Sequence, residues 1–265
     1  MYKRIVFGLA PIFIWIGLFA APPVDAVPFP LYNTGSETIA EFKTAPQYTH
    51  EGQTYGPFGW FSGYTQTFDG TSVTKHVGLN FVFSPQEFTP AQQSAFQTAA
   101  KSDIESIWNN KVVIFDAGNS RTIPLRVDVT TTGPIFHQTV NVVADAGRSN
   151  TSIWYAGSLG PGVKAHEFGH YLGLYDEYIG GGLAKYPSTV PTTGLMGYGA
   201  LDQSPPMSLA YYQTYLDFMS ALNPSFGFAM SFVTVAPEPS TWLLLLSGMG
   251  VFLVCTKVWR CRLHD

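Results

Sequence analysis

The stretch HEFGHYLGLYD, residues 166–176, decides how this sequence is interpreted. His166 and His170 are four residues apart, so on a helix they share one face and both imidazoles can reach a single metal ion. Glu167 follows the first histidine and can face the open position of that ion, where a carboxylate can accept a proton from bound water. The stretch therefore predicts a zinc site on a helix that carries its own general base.

Gly173 and Asp176 extend the pattern beyond the helix. Glycine lets a helix end in the left-handed conformation, and the resulting turn brings Asp176 back as a third ligand. The alternative is an amphipathic helix with a histidine satisfied in the core. By chance HExxH is expected in roughly 0.4% of chains of this composition, and the added glycine and acid lower that about a hundredfold. The metal site is the favoured interpretation.

These residues resemble the motif of the metzincin metallopeptidases, HExxHxxGxx followed by a third ligand that is usually histidine. Asp176 at that position is similar to the minority snapalysin-like version, and carboxylate oxygen is an accepted zinc donor. The resemblance implies Zn²⁺ held by His166, His170 and Asp176, with Glu167 as the base. Glu177 could compete as a ligand. We expect it to point away, as adjacent residues do in extended chain, and to act as a structural partner.

Residues 195–199, LMGYG, resemble the methionine turn that lies beneath the metal in the same family. Met196 follows Asp176 by twenty residues, a suitable length for the intervening loop. Tyr198 matches the tyrosine that ligates zinc or stabilises the oxyanion in astacin-like and serralysin-like members. The alternative is a methionine and a tyrosine in an ordinary core turn.

The N-terminus carries the pattern of a secretory signal peptide, residues 1–26. Lys3 and Arg4 precede an apolar run over residues 5–21, and small residues stand at the cleavage-determining positions of 24–26. A membrane anchor is the alternative, but the pattern favours removal.

The C-terminus, residues 237–265, combines Pro-Glu-Pro, a short apolar span and a basic tail. The span is near the lower limit for crossing a bilayer, and the basic tail places the C-terminus in the cytoplasm. This order resembles a PEP-CTERM sorting signal, which implies processing by an exosortase in a Gram-negative bacterium. The protein would be held on the periplasmic side of the inner membrane and then reach the cell surface or exterior. A plain membrane anchor is the alternative.

Residues 27–236 remain for the exported part, enough for one domain with a sizeable core. Its fifteen Asp and Glu against nine Lys and Arg give a net charge of −6, without a basic patch, so nucleic acid is not an expected partner. The two cysteines, Cys255 and Cys261, fall in or beyond the C-terminal span. Packing, without disulfides, must stabilise the exported part.

We assign residues 27–75 to an N-terminal extension or extra strands of the main sheet, and residues 76–236 to the metal-binding domain. Asp69 could occupy the metal as a propeptide aspartate does in some metzincins, but FDGT is favoured as a turn. His50, His76 and His137 lack ligand-like spacing and are expected to be surface or packing residues.

The expected fold class is α+β: a metzincin-like mixed, twisted sheet with an active-site helix and a C-terminal helix. Strands are predicted at 76–83, 123–130, 138–144 and 152–156. A helix begins at the capping box of Thr89 and Gln92. A second helix follows residues 204–206 and ends at Asn223. Helical spacing predicts buried faces formed by Phe96, Ala99, Ala100, Ile104, Ile107 and Trp108 in the first, and by Tyr212, Tyr215, Leu216, Met219 and Leu222 in the second.

The sequence thus predicts an exported zinc endopeptidase that acts on a peptide or protein, with the edge around residues 151–157 receiving the substrate as an added strand. Two alternatives remain open: a zinc hydrolase of a non-protein amide such as a cell-wall linkage, and a non-catalytic surface or matrix protein with a structural metal. Glu167 argues against the last, because a structural site needs no general base. The gluzincin metallopeptidases use a distal glutamate as the third zinc ligand. No glutamate lies between Glu177 and Glu238, so the chain does not resemble that family.

Overall fold

The computed structural model describes residues 32–186 and 193–233. The signal peptide and sorting signal predicted at 1–26 and 237–265 lie outside these ranges. Among the described residues no helix has both the length and the apolar character needed to cross a bilayer. The elements are β1 Gly35–Ala45, β2 Tyr48–His50, β3 Gln53–Tyr55, β4 Phe58–Phe68, β5 Val73–Phe83, α1 Pro90–Trp108, β6 Val112–Asp116, β7 Arg121–Thr130, β8 Gln138–Val143, β9 Ile153–Tyr155, α2 Pro161–Tyr171, α3 Gln213–Leu222 and β10 Phe228–Phe232.

The main sheet is mixed and has eight strands. Six of them follow the order β1-β4-β5-β7-β6-β10, and β8 and β9 join the sheet beside β5. β2 and β3 form a separate hairpin. β5 lies at the centre of the main sheet. It pairs with β4 in antiparallel fashion, with β7 in parallel along residues 73–78, and with β8 in parallel along residues 79–83. β9 then pairs in parallel with β8. The α+β class and the mixed sheet are therefore confirmed.

Within the segment assigned to an N-terminal extension or extra strands, β1 and β4 belong to this same sheet. All eleven residues of β1 pair with β4, and the last four residues of β4 pair with β5. The first half of β4 leaves β5 and crosses the end of α2. Asp69 lies in the turn between β4 and β5, where its carboxylate accepts hydrogen bonds from the backbone of Thr71 and Ser72. The prediction of a turn at Asp69 is confirmed.

Helix α1 packs between the sheet and α2. The capping box is confirmed, since Thr89 and Gln92 exchange side-chain and backbone hydrogen bonds at the first turn. Ala100, Ile104, Ile107 and Trp108 are buried as predicted, Phe96 is partly buried against the core, and Ala99 is exposed. Neighbouring residues are separated by about 100° around a helix axis, so only one of Ala99 and Ala100 can face the core.

The C-terminal helix begins later than the sequence predicts. The segment after residues 204–206 first forms a 3₁₀ turn, Leu209–Tyr212, and α3 starts only at Gln213. Tyr212, Tyr215 and Met219 are buried as predicted, whereas Leu216 and Leu222 are partly buried at the edge of the core. β10, which the sequence analysis does not predict, then adds antiparallel to β6 and closes that side of the sheet.

Candidate metal centre

Helix α2 is buried along nearly its whole length, with Pro161 at its first turn. It ends in a two-bond turn: Leu174 donates to the carbonyl of Gly169 at 3.1 Å, and Gly173 donates to the carbonyl of His170 at 2.9 Å. Gly173 has a φ of +87°, the left-handed conformation that glycine adopts without a steric penalty. The turn predicted from the sequence is present, and it sends the chain back toward the histidines.

Three side chains converge where the chain returns. Nε2 of His166 lies 3.2 Å from Oδ1 of Asp176, and Nε2 of His170 lies 3.4 Å from the same oxygen. Ligand atoms about 2.0–2.1 Å from a tetrahedral zinc ion are about 3.3 Å apart. All three residues are buried, and Oδ1 of Asp176 has no hydrogen-bond partner among the described residues. The spacing and the unpartnered oxygen fit a bound metal ion.

Backbone groups select which atom each ligand presents. Nδ1 of His166 is 2.9 Å from the carbonyl of Leu195, and Nδ1 of His170 is 2.8 Å from the carbonyl of Leu174. A carbonyl only accepts, so each Nδ1 carries the proton and each Nε2 is left to coordinate. Oδ2 of Asp176 accepts from the backbone N–H of residue 182 at 2.6 Å, which leaves Oδ1 for the metal.

The electrostatics of the cluster favour a positive charge at its centre. Burial by itself would raise the pKa of the Asp176 carboxyl, but the two histidines outweigh it and hold that pKa well below its usual range. Burial would likewise lower the pKa of His170, yet its contact with Asp176 raises that pKa to about 9. Both directions show that the Asp176 carboxylate is anionic and attracts positive charge to the adjacent imidazoles.

Glu167 stands beside the cluster and lines two cavities that flank it. One cavity, of about 440 Å³, also borders Trp60, His170 and Asp176. The other, of about 490 Å³, borders His166 and the turn after the methionine. Burial raises the pKa of the Glu167 carboxyl, against the opposing effect of the two histidines. Glu167 is therefore a carboxylate next to the ligands that faces a cleft.

Glu177 is a structural partner in the observed geometry. Its carboxylate accepts a hydrogen bond from the hydroxyl of Tyr211 at 2.8 Å, and its backbone N–H donates to the carbonyl of Met196 at 2.8 Å. It is not among the ligand atoms that cluster at the site. Its bonds tie the loop that carries Asp176 to the turn that contains Met196.

Met196 lies beneath α2, fully buried. A Cβ added at Gly169 would come 2.4 Å from the sulfur of Met196. Met196 can therefore pack against α2 only because residue 169 has no side chain. The preceding residue, Leu195, supplies the carbonyl that orients His166. Met196 and its turn thus support the metal ligands from below.

Tyr198 follows Met196 and lines the second cavity together with His166 and Glu167. Its side chain is 56% exposed, and its ring packs against Tyr178 at 5.7 Å between centroids. The ring of Tyr178 lies 6.0 Å from the ring of His166. Its hydroxyl accepts a hydrogen bond from Arg148 at 2.8 Å. Tyr178 borders both cavities, whereas Tyr198 borders only the second.

Three residues of the site were not predicted: Trp60, Arg148 and Tyr178. Trp60 comes from β4, where its indole N–H donates to the carbonyl of His170 at 3.0 Å and its ring packs on that histidine. Of these three residues, only Tyr178 lies close to the motif in sequence, two residues after Asp176. Trp60 and Arg148 lie far from the motif in sequence, so only the folded chain reveals them.

Among known proteins, no family model, no curated sequence and no solved structure matches this chain. What the described residues contain is a buried group of His166, His170 and Asp176 that could hold a metal ion, in an α+β fold.

Proposed function

We propose that this chain is a zinc-dependent endopeptidase of the metzincin type. One observation supports this most strongly: Nε2 of His166 and Nε2 of His170 lie 3.2 Å and 3.4 Å from Oδ1 of Asp176, while Glu167 lines a cleft beside them. Three protein ligands with an open fourth position are typical of catalytic zinc, whereas structural zinc is usually enclosed by four.

When bound, zinc would supply a Lewis acid that polarises the substrate carbonyl and lowers the pKa of water. Glu167 would accept the proton from the attacking water and pass it to the leaving amine. Tyr178, with its hydroxyl held by Arg148, would donate a hydrogen bond to the oxygen on which negative charge develops. Tyr198 would support the ring of Tyr178.

The shape of the cleft favours a chain-like substrate. The two cavities share Arg148, Glu167 and Tyr178 in their linings, so a bound chain can pass from one cavity to the other beside the reacting bond. Residues 150–152, just before β9, border the first cavity. β9 pairs with β8 on one edge, and no other described strand pairs with it. However, the outward backbone groups of Ile153 already bond to Asn150, and those of Tyr155 bond to Ser149 and Ser158. The strand addition predicted around residues 151–157 is therefore not supported at β9, and we propose that the substrate binds along the two cavities instead.

The test is parallel incubation of the zinc-loaded full-length chain with a peptide library and with a peptidoglycan digest. We expect internal cleavage of peptides. Glu167→Gln should keep zinc, because Glu167 is not a ligand, and should lower kcat by at least about 10²-fold, the lower range for loss of a general base. Release of products from peptidoglycan alone would support the hydrolase of a non-protein amide instead. Full activity in Glu167→Gln would refute the mechanism.

We also propose that the chain is exported and sorted through residues 237–265, a proposal that rests on the sequence pattern. Its partners would be the secretion machinery, an exosortase and, before processing, the membrane. In a host with an exosortase, mass spectrometry should find a C-terminus shorter than the translated one, and an intact C-terminus there would reduce the signal to a simple anchor.

A further inference from the structure

Arg148 lies in the loop between β8 and β9, at the junction of the two cavities. It borders both of them, together with Glu167 and Tyr178. No other lysine or arginine lines either cavity in the described part of the chain. Arg148 is therefore the one permanently charged basic side chain that lines the cleft in the described ranges, and it lies next to the proposed position of the cleaved bond.

The guanidinium of Arg148 has donors to spare. One nitrogen donates to the hydroxyl of Tyr178 at 2.8 Å, and the group lies 5.6 Å from the centre of that ring. No carboxylate of the described residues lies within 4.0 Å of it, although Asp176 and Glu167 act on it from further away. An arginine has five N–H donors in a planar fork that matches a carboxylate. Most of that fork remains available to a ligand.

The two cavities offer different surroundings. The first has a polar rim next to Arg148, formed by Asn150, Thr151 and Ser152. The second is walled mainly by apolar side chains, including Val163, Ile179 and Leu201. A carboxylate is desolvated at lower cost where a cation and hydroxyl groups replace its water, and an apolar side chain gains by leaving water.

We propose that Arg148 selects substrates with a carboxylate side chain beside the cleaved bond and an apolar side chain on the other side of that bond. This inference rests on the proposed peptidase function. The exported part carries a net charge of −6, so its general field repels acidic peptides and only a local cation can reverse the preference. The acidic side chain binds in the first cavity, and the apolar one in the second.

A second role for Arg148, holding Tyr178, has to be separated from recognition of the carboxylate. Loss of an orienting contact slows the cleavage of all substrates alike. Loss of a carboxylate partner slows acidic substrates alone. The ratio of kcat/KM for matched Glu and Gln peptides is therefore the informative quantity, because it does not depend on the overall rate.

The experiment uses the zinc-loaded full-length chain and peptides in which Glu or Gln flanks Leu across the cleaved bond, in both orders. In one of the two orders, kcat/KM of the wild type should be about tenfold or more higher for the Glu peptide than for the Gln peptide, the range for a charge-assisted hydrogen bond. Arg148→Gln should bring this ratio close to one. Arg148→Glu should make Lys the preferred residue. Tyr178→Phe, the control, should keep the ratio even though its rates fall.

Each failure has its own meaning. Cleavage with a Glu/Gln ratio near one in the wild type, or a ratio that Arg148→Gln leaves unchanged, overturns the role of Arg148 and leaves the peptidase intact. Equal loss of the ratio in Tyr178→Phe also overturns it, because the preference would then belong to the tyrosine. The absence of cleavage of every peptide overturns the proposed function and this inference together.

Discussion

At the scale of single residues, the side chains that could hold a metal ion are oriented by the backbone. The carbonyls that fix His166 and His170 belong to Leu195 and Leu174, one in the turn before Met196 and one in the turn that ends α2. Groups that orient ligands typically change metal affinity by about 10–100-fold. Because the orienting atoms here are main-chain atoms, we expect the conformation of these two turns to control the affinity for a metal ion.

The two tyrosines near the site should contribute unequally. Tyr178→Phe removes a hydroxyl beside the ligands and should lower kcat by about 10²-fold with a smaller effect on KM, as for loss of an oxyanion donor. Tyr198→Phe keeps the ring that packs on Tyr178 and removes only an exposed hydroxyl, so kcat should stay within about threefold. Steady-state kinetics on a single peptide decide between them. A larger loss in Tyr198→Phe would assign the catalytic phenol to Tyr198.

At the scale of elements, the end of α2 joins fold to site. Gly173 turns the chain from the helix toward Asp176 and positions the carbonyl that His170 contacts. Gly173→Ala should cost about 1–2 kcal/mol of stability, the penalty of a left-handed conformation with a side chain. The new Cβ would also lie 3.1 Å from Lys43. We therefore expect weaker zinc binding as well, measured by competition with a chelator.

Gly70→Ala is the matched control. Gly70 has a φ of +93° in the turn between β4 and β5, and the nearest atom to an added Cβ is 3.7 Å away, on Thr34. This variant should lose similar stability in the metal-free form but bind zinc as the wild type does. If both variants lost zinc affinity equally, the turn at the end of α2 would have no specific effect on zinc binding.

The elements also show how far the sequence can predict this structure. The capping box of α1 and the turn at Gly173 were predicted because their hydrogen bonds join residues close in the chain. The ligand set followed from the same local spacing. The bond from Trp60 to His170 joins residues 110 apart, and that between Arg148 and Tyr178 joins residues 30 apart, so no local pattern encodes them. The 3₁₀ turn before α3 begins at a local cap, in which the side chain of Ser208 accepts from the N–H of Ala210, and it contains the buried Tyr211 and Tyr212.

At the scale of the whole molecule, Lys75 is an uncommon core residue. It is fully buried on β5, its ammonium lies 4.0 Å from the ring centre of Tyr64 and 4.4 Å from that of Tyr215, and it donates to Thr214. Burial lowers the pKa of Lys75 to about 7, although Asp217 and Glu37 act in the opposite direction. The fold therefore carries an ionisable group whose charged form it disfavours.

This burial predicts a pH dependence of stability. Between about pH 7 and 10.5 the unfolded chain binds the Lys75 proton and the folded chain does not, so this group's contribution to stability rises with pH across that window. Lys75→Met removes the contribution. The free energy of unfolding of Lys75→Met minus that of the wild type should be larger at pH 6 than at pH 9, by up to about 3 kcal/mol. Urea unfolding at both pH values measures it, and a pH-independent difference would contradict a lowered pKa.

The central claim, that His166, His170 and Asp176 hold zinc, is tested most directly by the metal content of purified full-length variants after dialysis against a weak chelator. The wild type should retain about one zinc per chain, as expected for a single three-ligand site. Asp176→Ala should lose it, Asp176→His should restore it, and Glu177→Ala should retain it because Glu177 bonds to Tyr211 instead. Full retention in Asp176→Ala, or loss only in Glu177→Ala, would contradict the assignment.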